Sequence, residues 1–430
     1  MKDADDRSVA VLILLGAYPG QFESQAMRHF CNGLAQRLWL LWRQRRAAAA
    51  AMVPEATAQA WRRRLFAGGL VMHYQPLVDL RTGRTVKAEA LARLALEDGR
   101  IVAPGAFLPV LGARDLDELF RRGLAAALAQ VAAWDAAGVS LGVAVNLPPS
   151  SLAQPDCAFW VAEALRQAGV APERLDLEIT EDQPVGVAES VSVATLAALA
   201  RLGVNIAMDD LGAGYSSLQR LRSLPFRAIK IDQGLVAGVR HAPLKTVGFL
   251  GALIQLGHDL EVEVVAEGLE SIGMIEAAAF LGASVGQGYG LARPMPGDAL
   301  ASWLRDFRWP VDRADPSTPL GTLALLWRAS QRDGASPGPA VSCPVSRFIV
   351  RRGLAGGTID AAHRALHAVG IAEGLRSPAY RAALQTMQRE LVALALAEEA
   401  GEAAESAPPE SAPPESAPPG AARVVATVGG

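Results

Sequence analysis

Between residues 65 and 308 the chain alternates two rhythms. Short β-branched runs end in polar residues: LGVAVNL (141–147), LDLEIT (175–180), VNIAMDD (204–210), RAIKID (227–232) and VEVVAEG (262–268). Ala/Leu-rich stretches such as 187–202 and 243–257 fall between them. Short apolar runs bounded by polar residues predict buried strands, and the Ala/Leu spacing predicts helices. Strand–helix units repeated over about 240 residues predict a parallel α/β architecture of the size of a closed (β/α)8 TIM-type barrel.

On either side the rhythm changes. Upstream, Arg43, Arg45, Arg46 and Arg62 to Arg64 flank an AAAAA run and the apolar Leu38, Trp39, Leu40 and Leu41. This pattern predicts amphipathic helices, read as a cap or dimerisation element, with contact to an anionic membrane as the alternative. Beyond 310 a small helical region is expected, followed by ESAPPESAPPESAPPG (405–420), a threefold repeat that cannot bury a core and predicts an extended tail. The expected division is a helical N-terminal extension (1–61), a barrel (62–308), a helical C-terminal region (309–400) and a Pro/Glu/Ser tail (401–430).

Composition narrows the partner. At 51% hydrophobic residues over 430, a sizeable core can form, and the net charge of −3 gives no electrostatic reason to expect a nucleic-acid duplex. Cys31, Cys157 and Cys343 are too far apart for a disulfide framework and fit a reducing compartment. The early apolar run VAVLILL (9–15) is short of the roughly 20 residues that span a bilayer, and its acidic flank MKDADDR is unlike a signal peptide. A cytoplasmic protein with a small soluble partner and no transmembrane segment is expected.

Chemistry concentrates at the strand ends. Glu89, Asn146, Glu178, Asp209, Asp210, Lys230 and Glu267 each sit at or just past the end of a strand candidate, and in a barrel those ends converge on one mouth. Five carboxylates with one lysine repel unless cations compensate. Hard oxygen donors favour Mg²⁺, Mn²⁺ or Ca²⁺ over zinc or copper, and adjacent Asp209 and Asp210 could engage two ions.

Seven motifs occur in order: YQPLVDLRTGRTVKAEALARL (74–94), VNLPPSSL (145–152), LDLEITED (175–182), MDDLGAGYSSL (208–218), LPFRAIKIDQGLV (224–236), VVAEGLE (264–270) and GQGYGLARPMP (286–296). Together they closely resemble the EAL-domain phosphodiesterases of cyclic di-GMP, over about residues 62–306. The resemblance implies a modified barrel whose first strand is antiparallel, two Mg²⁺ or Mn²⁺ ions, and the linear product pGpG. It implies Glu89, Asn146, Glu178 and Asp209 as ligands of one ion, and Asp209, Asp210 and Glu267 as ligands of the other. It implies Lys230 as the group orienting the attacking water, with Glu267 at the reacting centre. Glu181 would steady the loop after the Asp pair, and Gln75, Arg93, Glu270 and Gln287 would serve the substrate.

The motifs depart from the family at Leu94, Gly112, Pro148, Leu211 and Ala213. None of these is among the implied metal ligands; the resemblance implies that the loop after Asp210 shapes the metal site and serves as a homodimer interface. A receptor that binds cyclic di-GMP without hydrolysis is the alternative function. The 64 residues before the barrel motifs are expected to be too few for a tandem GGDEF-type cyclase. His73, His241 and His258 are expected to be ordinary histidines, and Cys157 inert. Outside the barrel, His363 and His367 lie four apart on one helix face with Cys343 about 20 residues upstream. Zinc at Cys343, His363 and His367 is one reading of that spacing; plain helical packing is the expected one.

Overall fold

The computed structural model describes residues 53–180, 189–211, 220–221, 223–312, 314–331 and 343–406. The expectations for the chain before residue 53, for Glu181, for Ala213 and the loop after Asp210, and for the Pro/Glu/Ser tail lie outside the described residues.

Eight strands form a closed barrel: β1 (Leu70–Asp79), β2 (Thr85–Ala95), β3 (Gly142–Asn146), β4 (Leu175–Thr180), β5 (Asn205–Leu211), β6 (Ala228–Ile231), β7 (Glu263–Ala266) and β8 (Val285–Gly286). From β2 to β8 each strand pairs in parallel with the next. β1 closes the ring by pairing antiparallel with both β2 and β8, so the first strand runs against the others. The two-residue strands Ile101–Val102 and Met295–Pro296 add to β2 and β1.

Among the described residues, seven helices of ten residues or more accompany the barrel: α1 (Glu55–Arg64), α2 (Ala113–Ala136), α3 (Cys157–Ala168), α4 (Glu189–Leu202), α5 (Pro243–Asp259), α6 (Ile272–Leu281) and α7 (Gly297–Asp306). The strands read as near-continuous apolar runs because helices cover one face and the barrel interior the other. In β4, Leu175, Leu177 and Ile179 enter the hydrophobic core, whereas Asp176 and Glu178 are also buried, on the opposite face. That alternation has period two and places every second residue inside the barrel.

The barrel interior therefore carries polar layers. In the lower one, Lys87 Nζ lies 2.6 Å from Asp176 and 3.0 Å from Glu263, and Asn205 Nδ2 donates to Asp176 at 2.9 Å. Burial pushes the Lys87 pKa down, but the two carboxylates outweigh it and the pKa rises, so the ammonium persists. Two residues further along β2 and β4 stand Glu89 and Glu178. On β5 the small Ala207 follows Asn205 at that level, and Asp209 occupies the next inward position.

Among the described residues, four more helices follow: α8 (Pro319–Ser330), α9 (Pro344–Arg351), α10 (Thr358–Glu373) and α11 (Pro378–Ser406). Their attachment is built from named contacts. Glu276 of α6 is fully buried and accepts hydrogen bonds from the backbone N–H and hydroxyl of both Ser317 and Thr318, at 2.6–3.1 Å. Thr318 in turn caps α8 by accepting from the Gly321 N–H at 3.0 Å. Trp327 of α8 seats so closely against Gly251 of α5 that an added Cβ would overlap its ring. Leu323, Phe348, Leu366 and Leu391 continue the same hydrophobic core as the barrel helices. No helix among the described residues is long and apolar enough to cross a membrane.

Candidate active site

The mouth of the barrel is built around Lys230. Its Nζ, on β6, lies 2.7 Å from Glu267, 2.9 Å from Glu178, 3.2 Å from Asp209 and 3.7 Å from Glu89, and the side chain is 2% exposed. Register explains the convergence. Glu89 pairs with Ala144 and Gln75, Asn146 with Glu178, and Thr180 with Asp209, so successive strands deliver their polar ends to one level. Asn146 Nδ2 donates to Glu89 Oε1 at 3.0 Å, and Gln287 Nε2 donates to Glu89 Oε2 at 2.7 Å.

Asp209 and Asp210 break the strand alternation. Adjacent strand residues ordinarily point to opposite faces. Here the β5–β6 register shifts between Met208 and Leu211, and Asp210 adopts a left-handed φ of 56°. Carboxylate oxygens of Asp209, Asp210 and Glu267 consequently lie within 4.8 Å of one another. A non-glycine residue in that region is uncommon, though aspartate tolerates it better than most, and such conformations concentrate at functional sites.

The electrostatics are unbalanced. Burial and the neighbouring Glu89 charge raise the Glu178 pKa well above the ordinary carboxylate range, against the pull of Lys230. Burial likewise pushes Glu267 up to about 7, with Lys230 opposing and Asp209 adding to the rise. Burial also presses on Glu89, but Lys230 and the hydrogen bonds from Gln287 and Asn146 outweigh it, and its pKa falls. Lys230 is driven down by burial and up by Glu178, Glu89, Glu267 and Asp209; the carboxylates win and the ammonium persists. Buried Glu178 Oε2 and Asp209 Oδ1 have no hydrogen-bond partner among the described residues, although the latter lies 3.2 Å from Lys230. Oxygen donors left unpaired beside other carboxylates fit hard divalent cations, whereas they would be costly as a permanent feature of an apolar core. Among the described residues of the mouth, Asp209, Asp210 and Glu267 could share an ion, with Glu89, Asn146 and Glu178 beside them.

A cleft of about 220 Å³ opens over this cluster, lined among others by Gln75, Leu91, Gln233, Glu270, Gln287 and Tyr289. Gln75 and Gln287 are buried and their Nε2 atoms are engaged: Gln75 Nε2 donates to the Ala292 carbonyl at 3.0 Å, and Gln287 Nε2 also donates to Gln75 Oε1 at 2.9 Å, while Gln287 Oε1 has no hydrogen-bond partner among the described residues. Both line the cleft, and Gln287 also holds Glu89 in place. Glu270 stands at the rim, paired with Arg240. Arg93 is half-buried on β2, donates to the Ala92 carbonyl at 2.9 Å, and lies within the electrostatic reach of Tyr289 and Glu89. Gln233 and Tyr289 were not singled out from the sequence, although both fall inside quoted motifs; half-exposed Tyr289, with the Arg293 guanidinium 4.3 Å from its ring centroid, offers an aromatic surface at the rim.

The lone histidines stay outside the cluster. His258 contacts the Gly282 carbonyl at 3.0 Å, and His241 follows a short 3₁₀ turn at the surface. Cys157 is fully buried at the start of α3, where burial pushes its thiol up to about 12, so it carries no thiolate at neutral pH.

Comparison with known proteins places this geometry. Residues 58–294 match the family model described as EAL domain. An uncharacterized signaling protein of Caulobacter vibrioides is 38% identical over 239 residues, covering 54% of this chain and 28% of that protein. A Pseudomonas aeruginosa protein named as a cyclic di-GMP phosphodiesterase is 36% identical over 245 residues, covering 55% of this chain and 40% of that protein. The chain thus spans less than half the length of these two relatives. The solved structure of the PaMucR phosphodiesterase in complex with c-di-GMP superimposes with a TM-score of 0.52 at 34% identity, over 56% of this chain and 97% of that one.

Proposed function

Because the chain belongs to the EAL domain family, we propose that it is a phosphodiesterase that hydrolyses cyclic di-GMP to linear pGpG. The observation that carries the proposal is the gathering of Glu89, Glu178, Asp209 and Glu267 around Lys230, with Glu178 Oε2 buried and without a hydrogen bond among the described residues. Catalysis is assigned to the barrel of residues 62–308, with 309–400 as a helical unit docked on it and the protein acting in the cytoplasm.

In this reading Glu89, Asn146, Glu178 and Asp209 would hold one ion, and Asp209, Asp210 and Glu267 would hold the other. Two Mg²⁺ or Mn²⁺ ions bound there would lower the pKa of water and offset charge on the phosphodiester oxygens. The protein's own groups do the positioning. Lys230 keeps its ammonium beside Glu267 and Glu178, where it donates a hydrogen bond to the incoming water and fixes its direction. Glu267 lies beside that water and can take up its proton. Arg93, within electrostatic reach of Tyr289 and Glu89, would offer its guanidinium to a phosphate oxygen. Water oxygen bonds to phosphorus, the bond from phosphorus to one ribose 3′-oxygen breaks, and that oxygen takes a proton. The ring opens with a 5′-phosphate on the product.

Purified protein incubated with cyclic di-GMP and Mg²⁺ or Mn²⁺, then resolved by chromatography, tests the proposal. Appearance of pGpG supports it. Saturable binding without product selects the non-hydrolysing receptor.

A further inference from the structure

The helices beyond the barrel bring together three side chains that the phosphodiesterase reading does not use. Cys343 is the residue immediately before α9, and its Sγ lies 3.0 Å from His363 Nε2 on α10. His367 follows one turn later, its ring centroid 4.7 Å from that of His363 at an interplanar angle of 75°. One ligand atom from each of the three lies within 4.8 Å of the others. We propose that Cys343, His363 and His367 form a zinc-class metal site, separate from the barrel mouth, with three protein ligands and one exchangeable position.

Geometry and donor chemistry agree on this. Tetrahedral zinc with Zn–S of about 2.3 Å and Zn–N of about 2.0–2.1 Å sets its S and N ligands roughly 3.5 Å apart. The Cys343 Sγ–His363 Nε2 separation of 3.0 Å is somewhat shorter than that value and all three ligand atoms lie within 4.8 Å of one another, so small rotamer adjustments admit the ion. A thiolate with two imidazoles selects Zn²⁺ and chemically similar ions over Mg²⁺, the opposite preference to the all-oxygen barrel mouth. A Cys343–His363 hydrogen bond alone would satisfy only part of the cluster: His367 Nδ1 is buried with no partner among the described residues. Buried polar atoms are seldom left in that state, and a metal lone-pair acceptor resolves it. His363 is 2% exposed, so its ring is held in place beside Cys343. Three ligands leave the fourth position to water or an exchangeable donor, as in open zinc sites.

The full chain, stripped of metal with a chelator and titrated with Co²⁺, provides the test. A cobalt–thiolate charge-transfer band in the near ultraviolet reports sulfur ligation and is silent for the carboxylates of the barrel. One equivalent of Co²⁺ should develop the band, and one equivalent of Zn²⁺ should abolish it. Cys343→Ser should eliminate the band while far-ultraviolet circular dichroism is retained, since serine is a favoured residue at a helix N-cap. His367→Gln should weaken Zn²⁺ binding by more than the roughly 10–100-fold that loss of an outer-shell partner costs. Absence of the band in the wild type overturns the proposal, and so does its survival in Cys343→Ser. The readout needs no turnover, so it stands or falls independently of the phosphodiesterase assignment.

Discussion

Replacing Lys230 by methionine removes the cation that pairs with four carboxylates while keeping the length and apolar stem of the side chain. In metal-free protein the four partners at 2.7–3.7 Å are then left buried without their counter-charge. Breaking a buried ion pair by deleting one partner costs about 3–5 kcal/mol, because the remaining charge stays desolvated. At roughly 2 °C per kcal/mol for a domain of this size, the apoprotein should lose about 6–10 °C in Tm at pH 8. The loss should shrink at pH 5. Glu267, already raised to about 7 in the parent, is neutral there and has less charge to strand. Saturating Mn²⁺ should restore much of the loss at pH 8, since ions placed among the carboxylates take over the role of the ammonium. Differential scanning calorimetry at both pH values, with chelator and with Mn²⁺, measures all of this. A variant as stable as the parent at pH 8, or equally destabilised at both pH values, would refute the account of the mouth as a charge cluster organised by Lys230.

Other outcomes follow from the same geometry. Glu89→Ala should reduce metal-dependent turnover of cyclic di-GMP to below about 1% of the parent while circular dichroism shows the barrel intact, because loss of a ligand exceeds the effect of an outer-shell change. Metal-free stability should fall as pH rises from about 4.5 to about 7: Glu267 has a folded pKa raised above its unfolded value, so the folded state binds the extra proton in that window. Divalent-ion binding in the same window should release protons, seen by calorimetry in buffers of different ionisation enthalpy; zero release at pH 6 would contradict the Glu267 assignment. Gly251→Ala should destabilise the chain by about 1–3 kcal/mol in urea melts, as its Cβ would collide with the Trp327 ring and unseat α8 from α5.

Much of this protein is legible along the chain. The five strand candidates at 141–147, 175–180, 204–210, 227–232 and 262–268 match β3 to β7 to within a residue or two, because a parallel strand buried on both faces has to be apolar along most of its length. Their polar ends point to Asn146, Glu178, Asp209, Lys230 and Glu267, since polar groups at the ends of apolar strands converge on a barrel mouth; Glu89 reaches them from the middle of the long β2 rather than from the strand end expected. The lower layer of Lys87, Asp176, Asn205 and Glu263 was not legible: its members come from four strands, and pairing them requires knowing which strands are neighbours and in what register. Asp209 and Asp210 as a pair could be read, but strand alternation alone would send them to opposite faces. Only the left-handed turn at Asp210 and the slipped register after Met208 bring both to Glu267. The spacing of His363 and His367 was equally plain from one helical turn, whereas the approach of Cys343 depended on how α9 docks against α10. Periodicity and side-chain chemistry are local properties that a single chain displays; register, bulges and helix docking are relations between distant segments, and those exist once the barrel has closed.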